Sequence, residues 1–154
     1  MTRIRNLVLG ALLLASFAAP ASAQTAKATK NDATYKVALH VNDNDVAKMN
    51  LTLNNVNNII TDFQKSNRKI EIQIVTYGPG LHMFRDDTSP VKARIQEVAL
   101  AHPNVTFAAC GNTQSNMSKS EKKDIKLISE ATLVPSGVVH LIELQRQGYA
   151  YIKP

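Results

Sequence analysis

No second cysteine accompanies Cys110. An internal disulfide is therefore excluded, and so is dithiol exchange of the C-x-x-C kind within one chain. No H-x-x-x-H pair or Cys/His cluster has metal-ligand spacing, so a zinc site has no support. Neither G-x-G-x-x-G nor G-x-x-x-x-G-K-[ST] occurs, which leaves a nucleotide cofactor without a motif. Long apolar runs are missing too: the longest, Leu7 to Ala19, is shorter than the ~20 residues of a comfortable membrane span. Lys119, Lys122, Lys123 and Lys126 cluster, but no aromatic residues interleave with them. That composition reads as a solvated helix face and argues against nucleic acid.

What is present begins with an export signal. Arg3 and Arg5 precede the Leu7–Ala19 run, Pro20 breaks it, and Ala21-Ser22-Ala23 supplies a small-residue cleavage site before Gln24. No adjacent arginine pair points to twin-arginine export. The expected mature chain, Gln24–Pro154, has 131 residues, enough for one domain with a real core. All twelve acidic residues but only sixteen of the eighteen basic ones follow Ala23, leaving a net charge of +4. The export signal places the chain in the periplasm, where disulfides can form. A lone exported cysteine is then buried and inert, bonded to another chain, or chemically used.

Residues 24–34 are rich in Ala, Thr and Lys without periodicity and read as a tether. Tyr35, Val37, Leu39 and Val41 mark a strand, and Asn42-Asp43-Asn44-Asp45 supplies capping residues. Val46, Met49, Leu53, Val56, Ile60 and Phe63 form one stripe of a long helix. Five asparagines between Asn50 and Asn58 are poor helix formers, so packing must hold it. Ile70 to Tyr77 is a second strand, ending in a tight turn at Gly78-Pro79-Gly80. Ser89-Pro90 is expected to start a helix faced by Val91, Ile95, Val98 and Ala101. Val105 to Ala109 is a third strand with the apolar run of one buried on both faces. Ser118 and Glu121 fit a capping box for a short helix containing Ile125 and Ile128. Leu133-Val134 is a fourth strand. Ser136 caps a helix faced by Val138, Leu141, Ile142 and Gln145, and Tyr149 to Ile152 closes the chain as a fifth strand. Alternating strands and helices predict an α/β fold: a mainly parallel sheet of about five strands with helices on both faces.

Sites in an open parallel sheet collect at the carboxyl ends of strands. Three segments arrive there: His40-Val41-Asn42, Tyr77-Gly78-Pro79-Gly80 and Ala109-Cys110-Gly111-Asn112-Thr113. Gly111 lets the backbone turn or approach a ligand. A helix or turn starting at Asn112 would point free N–H groups at the sulfur and favour the thiolate. The other reading of Cys110 is a small apolar residue ending a buried strand. His40 and His82 fall near the same rim and are candidates to orient or deprotonate Cys110, with an ordinary structural role open to each. Asp86-Asp87 precedes a helix and is expected to cap or solvate it.

Taken together, Lys36-Val-Ala-Leu-His-Val-Asn, Tyr77-Gly-Pro-Gly-Leu81, Phe107-Ala-Ala-Cys-Gly-Asn-Thr113, Pro135-Ser-Gly-Val-Val and Gly148-Tyr-Ala-Tyr-Ile resemble the DsrE/DsrF-like family, in its exported single-domain branch. The resemblance runs from about Tyr35 to Pro154. It implies a three-layer α/β/α fold, a homo-oligomer (trimer or hexamer), and a sulfur-handling role without metal or organic cofactor. Cys110 matches the cysteine on which relatives carry a persulfide between partner proteins. On that basis Cys110 is the expected carrier, a donor or acceptor protein its partner, and Gly111, Asn112, Thr113, His40, Tyr77 and Gly78 the expected surround. The alternative is a non-catalytic module that binds a small molecule or partner, with Cys110 structural.

Overall fold

The computed structural model describes residues 33–154. The expected signal (1–23) and all but the last two residues of the tether (24–34) lie outside the described residues. Strands β1 (Tyr35–Val41), β2 (Ile70–Thr76), β3 (Val105–Cys110), β4 (Ala131–Val134) and β5 (Ala150–Ile152) alternate with helices α1 (Val46–Lys65), α2 (Lys92–Ala101), α3 (Gly111–Glu121) and α4 (Gly137–Arg146). A 3-10 helix, Gly78–Phe84, follows β2. Every strand pair is parallel, in the order β4-β3-β2-β1-β5. The strand–helix alternation of the sequence thus builds the expected three-layer α/β/α fold.

Successive side chains of a strand face opposite ways, so each strand feeds two cores. Val37, Leu39 and Val41, the three isoleucines of β2, and Phe107 and Ala109 of β3 meet α1 and α2 in the larger core. Phe84 packs edge-on against Phe107 there, with centroids 5.7 Å apart. On the other face Ala38, Val75 and Ala108 lie beneath Leu141 and Leu144 of α4. The alanines leave room for the helix backbone to come close to the sheet.

The long α1 starts where the Asn/Asp loop ends. Asp45 caps it, its Oδ1 accepting from the N–H of Ala47 at 2.8 Å and of Lys48 at 3.3 Å. Met49, Leu53, Val56 and Ile60 are buried as the spacing predicts, while Val46 is exposed. Two of the asparagines make tertiary bonds: Arg94 of α2 donates to Asn54 at 2.8 Å and also to Asn50.

Four local expectations are corrected. Gly78-Pro79-Gly80 opens a 3-10 helix instead of making an isolated tight turn. Ser89 and Pro90 precede α2 without starting it: Val91 occupies the N-cap position, and the Ser89 hydroxyl donates to the Met83 carbonyl at 2.6 Å. Ser118 and Glu121 lie inside α3, so they form no capping box. Ile125 and Ile128 are buried from an extended segment that pairs with Arg85 through Leu127. In α4, Leu141 and Leu144 face inward, whereas Val138, Val139 and Ile142 are exposed. Ser136 does cap that helix, accepting from the Val139 N–H at 3.5 Å.

Candidate functional site

β3 and β4 are neighbours in the sheet, yet the helices that follow them part company. Met117 of α3 packs against the larger core, while α4 crosses the opposite face. Adjacent strands whose following helices diverge leave a crevice at their carboxyl ends. Cys110, the last residue of β3, lies in that crevice with 4% of its surface exposed and no disulfide partner.

Three glycines let the backbone close around it. A Cβ on Gly111 would stand 3.2 Å from the Val134 carbonyl oxygen and 3.5 Å from that of Pro135. The next residue, Asn112, donates its N–H to that same Pro135 oxygen at 3.2 Å. The start of α3 is therefore stitched to the β4–α4 loop. A Cβ on Gly137 would stand 3.2 Å from the Cys110 Cβ and 3.2 Å from the Tyr77 ring. Its missing side chain brings the first turn of α4 against the cysteine. Gly78, at φ +52°, turns its own N–H onto the Thr113 hydroxyl oxygen at 3.0 Å.

The thiol feels two helix N-termini at once. Burial alone pushes Cys110 up. The Thr113 hydroxyl and the N–H groups of Gly137, Thr113 and Asn112 together outweigh burial, so the thiol titrates below its ordinary value. Asn112 is shared with Pro135, which leaves Thr113 and Gly137 as the main donors. Because the Thr113 oxygen accepts from Gly78, its own proton is free to point at the sulfur. Thr113→Val should raise the thiol pKa and slow iodoacetamide alkylation at pH 7 about tenfold, the worth of one hydrogen bond to a charged group. An unchanged rate would remove Thr113 from the account.

No histidine joins this set. His40, 4% exposed, pairs its Nδ1 with the Tyr151 hydroxyl at 2.7 Å and stacks on Tyr77 with centroids 4.4 Å apart. Burial and then Lys153 hold its pKa down against a smaller opposing pull from Asp43. His82 pairs its Nδ1 with Thr88 at 3.0 Å. His40 Nε2 is buried without a hydrogen-bond partner and His82 is paired with Thr88, so neither candidate histidine is hydrogen-bonded to Cys110.

Beside Cys110, across Thr113, runs an open groove of about 410 Å³. The 3-10 helix supplies one wall (Gly78, Pro79, His82) and α3 the other (Thr113, Asn116, Met117, Ser120), with Asn44 at one end. Two ties hold the walls together. One is the Gly78–Thr113 bond. The other is Arg85, 1% exposed, which grips Asp87 through Nε and Nη2 at 2.9 and 2.8 Å and Glu121 through Nη2 at 2.9 Å. Lys123 adds a contact to Asp87 at 2.8 Å. Asp87 is thus tied to arginine, and Asp86 pairs with Lys92, so neither caps α2. Lys123, still exposed, joins this network from the lysine-rich segment.

Sequence reasoning did not find Gly137, Tyr151 or Arg85. Ser136-Gly137 signals a helix start, but only the fold shows that this helix returns to Cys110. Among the described residues no three His, Cys, Asp or Glu side chains gather as a metal site, and no helix is long and apolar enough to cross a membrane.

A family model described as DsrE, the DsrE/DsrF-like family, matches residues 21–154. No curated protein matches. Among solved structures, the chain is similar to a protein of unknown function, MTH1491, from Methanobacterium thermoautotrophicum. The two are 30% identical with a TM-score of 0.64, over 78% of this chain and 99% of that one.

Proposed function

The chain belongs to the DsrE/DsrF-like family, which is linked to sulfur metabolism, and from that premise we propose that it carries sulfane sulfur in the periplasm as a persulfide on Cys110. The observation that carries this reading is the setting of the thiol: a cysteine held below its ordinary pKa by donors from two helix N-termini, at the crevice between diverging helices. The thiolate attacks the outer sulfur of a donor R–S–S⁻. The S–S bond breaks with its electron pair on R–S⁻, and the outer sulfur stays on Cys110 as a persulfide. The reverse step passes the sulfur to an acceptor thiolate. Neither direction needs a net oxidant or reductant. The same donors that stabilise the thiolate would stabilise the persulfide anion.

Export rests on the N-terminal signal. Purified periplasmic protein should begin at Gln24 by intact mass, and retention of residues 1–23 would contradict cleavage. Self-association is part of the proposal. Val138, Val139 and Ile142 on α4 and Leu133 on the edge strand β4 are each exposed apolar side chains. Ile142→Glu should lower the mass seen by light scattering to that of one chain. A wild-type monomer would remove the oligomer.

Burial of Cys110 is the one observation that favours the alternative, a binding module in which the cysteine only packs. The pH profile of iodoacetamide alkylation separates the two. The carrier reading predicts a thiol half-titrated below the ordinary cysteine value; a thiol that stays unreactive to high pH supports the module.

A further inference from the structure

The groove beside Cys110 is unusual in its charge. Its side chains are neutral: Asn44, Asn116, Ser120 and Thr113 offer hydrogen bonds, and Pro79 and Met117 give an apolar floor. Burial, and next Arg85, hold the His82 pKa below its ordinary value, and its Nδ1 is taken by Thr88, so a neutral imidazole offers Nε2. The nearby charges satisfy one another. Arg85 is committed to Asp87 and Glu121, and Lys123 to the same two carboxylates. No lysine or arginine lines the groove to hold a carboxylate or phosphate. The volume, about 410 Å³, falls within the roughly 300–1,000 Å³ that small-molecule sites occupy.

We infer that this groove binds a small uncharged thiol bearing amide groups, and that the persulfide of such a thiol is the donor that loads Cys110. The inference rests on the carrier reading above and names its donor class. Two points favour it over a folded protein donor. Cys110 is 4% exposed, so a rigid protein surface cannot bring a sulfur onto it without inserting a segment. The groove also shares a wall with the cysteine: Thr113 lines it, accepts from Gly78 and donates toward the sulfur. Asn44 and Asn116 match amide groups, each side chain offering both a donor and an acceptor. Attack by the Cys110 thiolate on the outer sulfur of R–S–S⁻ breaks the S–S bond. The leaving R–S⁻ takes up a proton, giving R–SH and the Cys110 persulfide with no net oxidation.

The test compares three donors on the purified protein, following sulfur gain by intact mass: N-acetylcysteinamide persulfide (no carboxylate), N-acetylcysteine persulfide (carboxylate-bearing) and inorganic tetrasulfide. The persulfide without a carboxylate should load at least ten times faster than the carboxylate-bearing one at equal concentration. Ser120→Trp, an exposed α3 position that would fill the groove, should erase that advantage in a protein whose circular dichroism matches wild type. Equal loading by the two organic donors, no effect of Ser120→Trp, or loading by tetrasulfide alone would overturn the groove assignment. If no donor loads Cys110, the carrier reading falls with the donor role. Groove binding is then read separately with unreactive S-methyl-N-acetylcysteinamide by NMR: saturable shifts at His82 and Asn116 sustain the ligand class, and their absence refutes it.

Discussion

Gly80→Ala should cost the fold at least about 3 kcal/mol, the upper range for forcing extra volume into a packed site. A Cβ at Gly80 would stand 2.3 Å from the Val41 carbonyl oxygen and 2.7 Å from the Asn42 Cα. Both are backbone at the end of β1 and cannot rotate aside as a flexible side chain would. The 3-10 helix would have to lift from the sheet, taking Leu81, Met83 and Phe84 out of the core. For a domain of this size the loss corresponds to a fall in Tm of roughly 10 °C or more. Gly148→Ala is the control. It sits at φ +88° with nothing within 4 Å of the added carbon, so only backbone strain of about 1 kcal/mol is expected. Thermal unfolding followed by circular dichroism reads both. A Gly80→Ala protein as stable as Gly148→Ala would show that the two backbones are not in contact.

Arg85→Met is the second large effect. The guanidinium is buried and grips two carboxylates that themselves reach water. Its loss should cost about 2–3 kcal/mol, less than the 3–5 kcal/mol of breaking a fully buried pair, because both acids can rehydrate. The pH dependence follows from the same contacts. Hydrogen bonding to Arg85 is the main cause that lowers Glu121 to about 2 and takes Asp87 lower still. These folded-state values lie below those of an unfolded chain, so the stabilisation is complete above ordinary carboxylate values, near pH 4.5. It is lost as pH falls toward 2. Urea unfolding between pH 6 and pH 2.5 should show wild-type stability dropping steeply at the acid end and the Arg85→Met curve staying flatter. Parallel curves would mean that the network does not set acid stability.

Arg85 also shows where the sequence stops being readable. An arginine between Phe84 and Asp86 carries no periodic signal, and its two partners lie 2 and 36 residues away. Hydrophobic spacing could not place it. What spacing does report is which side of an element is dry, and that was enough for the five parallel strands and the inward residues of α1. It failed where short segments carry mixed signals. In α4, Val138, Leu141, Ile142 and Leu144 are all apolar, so the helix reads as facing inward on either side. Only the sheet decides that Leu141 and Leu144 go in. Ser118 and Glu121 have the spacing of a capping box, but the helix already begins at Gly111, where the Asn112 N–H bonds to the β4–α4 loop. The candidate site divides the same way. Cys110, Gly111, Asn112, Thr113 and Gly78 are local to strand ends and legible from sequence. Gly137 arrives from the far side of the sheet, and its N–H belongs to a helix whose course is set by tertiary packing.

The central claim is that Cys110 carries sulfur. The direct measurement is intact mass of the purified mature domain after incubation with inorganic tetrasulfide, beside the Cys110→Ser protein. A gain of about 32 Da, absent from the variant and removed by a reducing agent, is the predicted result. No gain in a folded wild-type protein, together with a thiol slow toward alkylation, would contradict the account and leave Cys110 a packing residue.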